Sequence, residues 1–172
     1  MSYAFGHLVG AWIVGKAYQF FSKKKLSSAA WFVLLLGGIL PDTDFLIDWA
    51  LGYDSHRTIT HSLIFLIAVP ILTYILFSIA KDPGKKQFAV CIGLGIATHL
   101  FLDTLLGGGI PLLWPSMMHF STSGISNITL PGSTFSRANP IELANQLRAA
   151  IMDMAIGTAW LFYLWFRKRI QF

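Results

Sequence analysis

The chain predicts an all-α fold, a polytopic transmembrane helical bundle of about five helices, and three observations point there. Of its 172 residues 55% are hydrophobic and only 12% are charged, against roughly 25% charged in a soluble domain. The apolar residues gather into five long stretches, and Lys and Arg fall mainly in the connections between them. With a mean hydropathy of +0.61, this pattern excludes a water-soluble globule and a disordered chain. The net charge of +5 would suggest nucleic acid in a soluble protein, but loop position accounts for it here, so no nucleic-acid partner is expected. Cys91 is the single cysteine, which excludes an intrachain disulfide and a Cys-based zinc site; within its apolar run it reads as packing. The 14 Phe, 6 Trp and 5 Tyr fit a membrane protein with aromatic residues near its interfaces.

Residues 1–172 read as one transmembrane domain. The first stretch, about residues 5–21, lacks a preceding basic region and a cleavage motif, so it is expected to stay in the mature protein. The second, about 29–51, contains Pro41, where its helix is expected to be interrupted. The third, HSLIFLIAVPILTYILFSIA over 61–80, is about 30 Å long as a helix, enough to cross the hydrocarbon core, with a kink expected at Pro70. The fourth spans about 87–107. The fifth, about 151–166, is short, but Asn139, Pro140 and Glu142 read as N-cap, N1 and N3 of a helix running into it. Between the last two, residues 108–150 form one long connection, opening with three glycines and an apolar patch at Ile110 to Trp114. Such length is usually functional or disordered. An outer interfacial loop or lid beside the site is expected, with a simple interfacial anchor as the equal alternative.

Basic loops are retained on the cytoplasmic side. With the N-terminus outside, the inner connections and tail hold Lys23, Lys24, Lys25, Lys81, Lys85, Lys86, Arg167, Lys168 and Arg169, with Lys16 near the inner end of the first stretch. The outer connections hold Arg57, Arg137 and Arg148, so the count is ten against three. A multi-pass protein of the cell membrane is expected, N-terminus outside and C-terminus cytoplasmic.

Under that topology the ionisable residues of the first four stretches converge near their outer ends. These are His7, then Asp42, Asp44 and Asp48, then His56, Arg57 and His61, then His99 and Asp103. A charged residue at the middle of a spanning helix costs roughly 2.5–3.5 kcal/mol, so several carboxylates together demand a counter-charge. A divalent cation accepts carboxylate oxygen and imidazole nitrogen together. Spacing supports a site: His99 and Asp103 in HLFLD lie four apart, on one helical face, as do Asp44 and Asp48 in DFLID. His56 and His61 bracket RTIT, where Thr58 or Thr60 is available to cap the next helix.

His7, Asp42, Asp44, His61, His99 and Asp103 are therefore the candidate metal ligands, with a terminal interface residue as the alternative for His7 and structural hydrogen bonding for the others. Asp48 reads as ligand, supporting partner or loop cap, and His56 as ligand, proton shuttle or substrate contact. Arg57 would stabilise developing negative charge or hold a lipid phosphate, or else pair with Asp54 or a headgroup. His119 reads as surface, Asp54 and Asp153 as structural, Glu142 as a helix-start residue, and Asp82 lies in the opposite turn, KDPGKK.

LPDTD around Asp42 and Asp44, HRTITHS from His56, HLFLD from His99 and the downstream IPLLWP resemble the bacterial and archaeal integral-membrane metal-dependent hydrolases, a family described as SOS-regulated. The resemblance covers about residues 3–118, His7 included. Thr58 stands where that family favours Gly, and Leu106 to Gly109 where it favours Thr-Pro before a glycine. Both changes bear on loop shape rather than ligands. The resemblance implies a membrane-bound hydrolase.

The residues themselves support hydrolysis of a lipid or other membrane-associated substrate by a metal-activated water, the metal lowering the water's pKa and polarising a carbonyl or phosphoryl oxygen. Zinc suits His with carboxylate, one or two ions; manganese or iron suits a carboxylate-rich pair equally. Asp48, His56 and Arg57 are the candidate catalytic groups. Two rivals stand beside this: a proton- or cation-coupled transporter using the same residues, and a noncatalytic metal site stapling the bundle, although six candidate ligands exceed the four of a structural zinc. Membrane lipids are the expected partners; scissile bond and oligomeric state are not encoded legibly.

Overall fold

The computed structural model describes residues 4–44, 58–106, 109–116, 118–121, 124–127 and 140–167. Among them are five α-helices: α1 (Ala4–Ser22), α2 (Ser28–Ile39), α3 (Leu63–Ile79), α4 (Lys85–Leu106) and α5 (Pro140–Phe166). Two 3-10 turns, Leu40–Thr43 and Ile59–His61, follow α2 and precede α3. The helix of the second stretch does give way at Pro41, which sits in the first of these turns. His61 belongs to the second turn, so α3 starts two residues later than its apolar stretch. Its N-cap is Ser62, whose hydroxyl accepts from the Phe65 N–H at 3.3 Å, rather than Thr58 or Thr60. The fifth helix begins at Pro140, well upstream of its apolar run.

Helix α4 is the centre, packing against α1, α2 and α3, while α5 packs on α1. Glycines set the closest approaches. A Cβ on Gly37 would lie 2.5 Å from the Ile92 carbonyl oxygen, and one on Gly38 would lie 2.9 Å from the Ala11 Cβ. Such small-residue crossings let helix backbones meet directly. Pro70 stands inside α3, with its Cγ over Gly93. Threonine hydroxyls along the helices are satisfied locally: Thr73, Thr98, Thr104 and Thr158 each donate to the carbonyl four residues earlier.

Two apolar clusters fill the bundle. One joins Leu26, Ala30, Leu34, Phe88 and Cys91, so the cysteine is core. The other joins Ile92, Ile96, Leu100 and Ile110. Ile110 thus makes the start of the long connection part of the core, and the Leu63 N–H donates to the Leu112 carbonyl at 2.9 Å, docking this segment onto the start of α3. Further along, β1 (Met118–Ser121) and β2 (Gly124–Asn127) pair antiparallel, a small hairpin in a connection read from sequence as loop. Strands of four residues without alternating polarity carry no periodic signal. His119 lies on β1, opposite Ser126.

The exterior is apolar. Ile67, Ile71, Leu72, Leu76 and Ile79 on α3, and Ile151, Met152, Phe162 and Trp165 on α5, are all more than half exposed, apolar exposure of the kind that marks a membrane or interaction surface. The Lys85–Leu105 segment, 21 residues with a mean hydropathy of 1.7, is long and apolar enough to cross a membrane; Ser28–Thr43, Leu63–Ile79 and Ile151–Phe166 are shorter apolar helices.

Candidate metal centre

Four elements bring imidazoles and carboxylates to one end of the bundle. His7 comes from the first turns of α1, Asp42 from the 3-10 turn after α2, with Asp44 just beyond it, His61 from the turn before α3, and His99 and Asp103 from successive turns of α4. The start of α1 is fixed from α5: Asp153 accepts the Phe5 N–H at 3.1 Å and the Gly6 N–H at 2.6 Å. A carboxylate there satisfies otherwise open donors and complements the helix dipole. Asp153 is structural, as its sequence context suggested.

Hydrogen bonding fixes the protons on two imidazoles. His99 Nδ1 lies 2.8 Å from the Gly38 carbonyl oxygen. A carbonyl only accepts, so Nδ1 carries the hydrogen, and in the neutral ring Nε2 presents a lone pair. Thr60 Oγ1 donates its one hydrogen to Asp44 Oδ2, so its 3.0 Å contact with His61 Nδ1 requires Nδ1 to donate. In its neutral form His61 therefore also turns an accepting Nε2 toward the cluster. The two Nε2 atoms stand 3.2 Å apart, an approach that a shared proton or a bound cation makes favourable.

Two carboxylate oxygens complete the cluster. Asp42 Oδ1 is 3.4 Å from His61 Nε2 and 3.5 Å from His99 Nε2. Asp103 Oδ2 is 3.5 Å and 3.9 Å from the same two nitrogens. The ligand atoms of Asp42, His61, His99 and Asp103 all lie within 4.8 Å of one another. A tetrahedral ion with bonds of about 2.0–2.1 Å holds its ligands about 3.3 Å apart, so this set could hold a metal ion with little rearrangement. The three imidazoles are fully buried and Asp103 is 1% exposed. Burying carboxylates without compensation costs several kcal/mol per charge. The Asp42 side chain is 33% exposed and marks the open side of the cluster.

His7 meets the far edge of both carboxylates, its Nε2 being 3.4 Å from Asp103 Oδ1 and 3.9 Å from Asp42 Oδ2. Asp44 takes another place: its Oδ2 lies 3.7 Å from His61 Nδ1, behind the ring, where a carboxylate orients an imidazole instead of meeting the Nε2 cluster. Asp48, Asp54, His56 and Arg57 lie outside the described residues. Thr60 and the Gly38 carbonyl were not anticipated as parts of the site. Thr60 reads in sequence as a helix cap, and a backbone carbonyl leaves no mark on a sequence.

Fold and site together define an all-helical protein with an apolar exterior and a buried histidine–carboxylate centre able to hold a metal. The family description is consistent with that class: the YdjM inner membrane protein family matches residues 1–170, and the chain belongs to it. The chain is also 29% identical over 116 residues to the uncharacterized protein YvsG of Bacillus subtilis (strain 168), covering 67% of this chain and 60% of that relative's length. No solved structure matches.

Proposed function

We propose that this protein is a polytopic inner-membrane, metal-dependent hydrolase acting on a lipid or other membrane-associated substrate. The observation that carries the reading is the convergence of the His61 and His99 Nε2 atoms, 3.2 Å apart, with the Asp42 and Asp103 carboxylates, all four ligand atoms within 4.8 Å of one another. Two histidines with two carboxylates suit zinc, and also manganese or iron. A divalent ion, when bound, acidifies a water and polarises a carbonyl or phosphoryl oxygen. The chain's part is to hold the imidazoles in the correct tautomer, through Gly38 and Thr60, and to bury all but one side of the cluster. Arg57, His56 and Asp48 are assigned to charge stabilisation, proton transfer and support, and the part of the connection between Ile110 and α5 to a cover at the interface.

The exposed apolar faces of α3 and α5 support several membrane-spanning helices. The Lys and Arg bias, ten against three, supports an N-terminus outside, a cytoplasmic C-terminus and a site on the extracytoplasmic side. Among the described residues the buried imidazoles and carboxylates, His7, Asp44, His61, His99, Asp103 and Asp153, all lie toward that end. A transport path would need them through the other half as well.

The test is metal content of the detergent-purified protein beside a His99→Ala, Asp103→Ala double variant, followed by incubation of the loaded protein with membrane lipid extracts. Transition metal near one or two equivalents, absent from the variant, with a lipid cleaved only by the wild type, supports the reading. A protein that is metal-free and cannot be reloaded, or a loaded one that leaves every extract intact, removes it. A Thr60→Val variant, which keeps the shape but frees the His61 Nδ1 proton, is expected to weaken metal affinity about 10- to 100-fold, measured by competition with a chelating dye.

A further inference from the structure

We propose that the centre holds two divalent cations, the second bound by His7 and sharing Asp42 and Asp103 with the first. This rests on the metal-centre reading above and goes beyond it in number, position and ligand assignment.

An imidazole nitrogen donates in the plane of its ring, so the angle between two rings decides whether they can serve one ion. The His61 and His99 rings are inclined at 65°, with centroids 5.1 Å apart and their Nε2 atoms 3.2 Å apart. Their planes cross, and two in-plane lone pairs can meet at a single point. His7 and His99 are stacked, inclined by only 19° with centroids 3.8 Å apart. Nearly parallel planes do not meet close by. An ion in the plane of His99 stands well out of the plane of His7, and His7 cannot be its ligand.

His7 Nε2 faces other atoms. Its neighbours are Asp103 Oδ1 at 3.4 Å and Asp42 Oδ2 at 3.9 Å, whereas His61 and His99 face Asp42 Oδ1 and Asp103 Oδ2. Each carboxylate therefore turns one oxygen to each side, the arrangement of a bridging carboxylate. Ions bound in the planes of two rings stacked at 3.8 Å would be separated by a similar distance, and paired hydrolytic metal sites have separations of about 3.5–4 Å. Among the described residues the first position has four protein donors and the second three, so the His7 position is the more weakly held.

The test uses the full chain in lipid nanodiscs, stripped with chelator, reloaded with Mn²⁺ and freed of unbound ion. Metal is counted by mass spectrometry and read by electron paramagnetic resonance. The wild type is expected to retain about two equivalents with an exchange-coupled spectrum, and His7→Ala about one with an isolated six-line signal. One equivalent and an isolated signal in the wild type would overturn the second position while leaving the metal centre intact. No retained metal would overturn both. Two equivalents in His7→Ala would overturn the assignment to His7, and if that variant fails to fold, the wild-type spectrum alone decides between a pair and a single ion.

Discussion

Asp103→Asn is expected to abolish metal-dependent stabilisation without unfolding the apo protein. Asp103, like Asp42, reaches every imidazole of the centre, at 3.4 Å from His7, 3.5 Å from His61 and 3.9 Å from His99, and it is the more buried of the two carboxylates, 1% exposed. Asn keeps its shape and removes its charge. At a metal concentration 100 times the dissociation constant the wild type should gain about 2.7 kcal/mol of stability, and the variant essentially none. The apo proteins supply the sharper contrast. If the centre is built for a metal, the stripped wild type carries a buried carboxylate with too little compensation, and Asn should leave apo stability equal or higher. If the cluster were instead a permanent network of protonated histidines and carboxylates, removing one partner would cost about 3–5 kcal/mol. Thermal melts in detergent, with and without Zn²⁺, read both differences, and a large apo destabilisation would rule against the metal.

Gly95→Leu is expected to lower the thermal midpoint and, with it, lose metal. A Cβ at Gly95 would run into the Leu34 carbonyl oxygen and lie 2.8 Å from the Gly38 nitrogen and the Gly37 carbonyl carbon. These are backbone atoms, so no rotamer change relieves the overlap and α2 must separate from α4. Overpacking of this kind costs about 1–3 kcal/mol or more. One turn further along α4, His99 holds its tautomer through the Gly38 carbonyl, and separation of the helices stretches that bond. Gly93→Ala is the control: its Cβ would meet the Pro70 ring of α3 at 3.1 Å, away from the α2 crossing that carries the Gly38 carbonyl, and metal content should hold. Wild-type metal content in Gly95→Leu would mean that the close crossing does not position His99.

The convergence of His7, Asp42, His61, His99 and Asp103 was legible because an apolar stretch makes every ionisable side chain expensive and therefore informative. The four-residue step from His99 to Asp103 placed both on one face before any coordinates. Asp44 shows where such reasoning stops. It shares residue type and neighbourhood with Asp42, but whether a carboxylate reaches the Nε2 or the Nδ1 side of an imidazole is decided by a turn of the chain. Thr60 was visible as a polar residue and misread as a cap, because in sequence a hydroxyl beside a helix start looks the same in either role. Helix limits moved for a related reason: apolar runs mark what faces an apolar medium, whereas hydrogen bonding decides where a helix begins. Thus α3 waits for Ser62, whereas the start of α5 at Pro140 was legible from the Asn139, Pro140 and Glu142 start signal in a polar segment. The β1–β2 hairpin is held by pairing and by the bridge between Ile110 and Phe120, a long-range contact that no local pattern announces.

The hydrogen bonds from Phe5 and Gly6 to Asp153 bear on the order in which the protein matures. A chain made from its N-terminus presents His7 first and Asp103 nearly a hundred residues later, when every donor of the cluster has been synthesised. The start of α1 is still untethered then, because its anchor lies a further 50 residues on, in the last helix. Ligand synthesis and site completion are thus separate events during biogenesis. A nascent chain arrested between Asp103 and Asp153 would carry every described metal-binding side chain with α1 packed on α2 and α4 but its first turn, next to His7, lacking the Asp153 anchor.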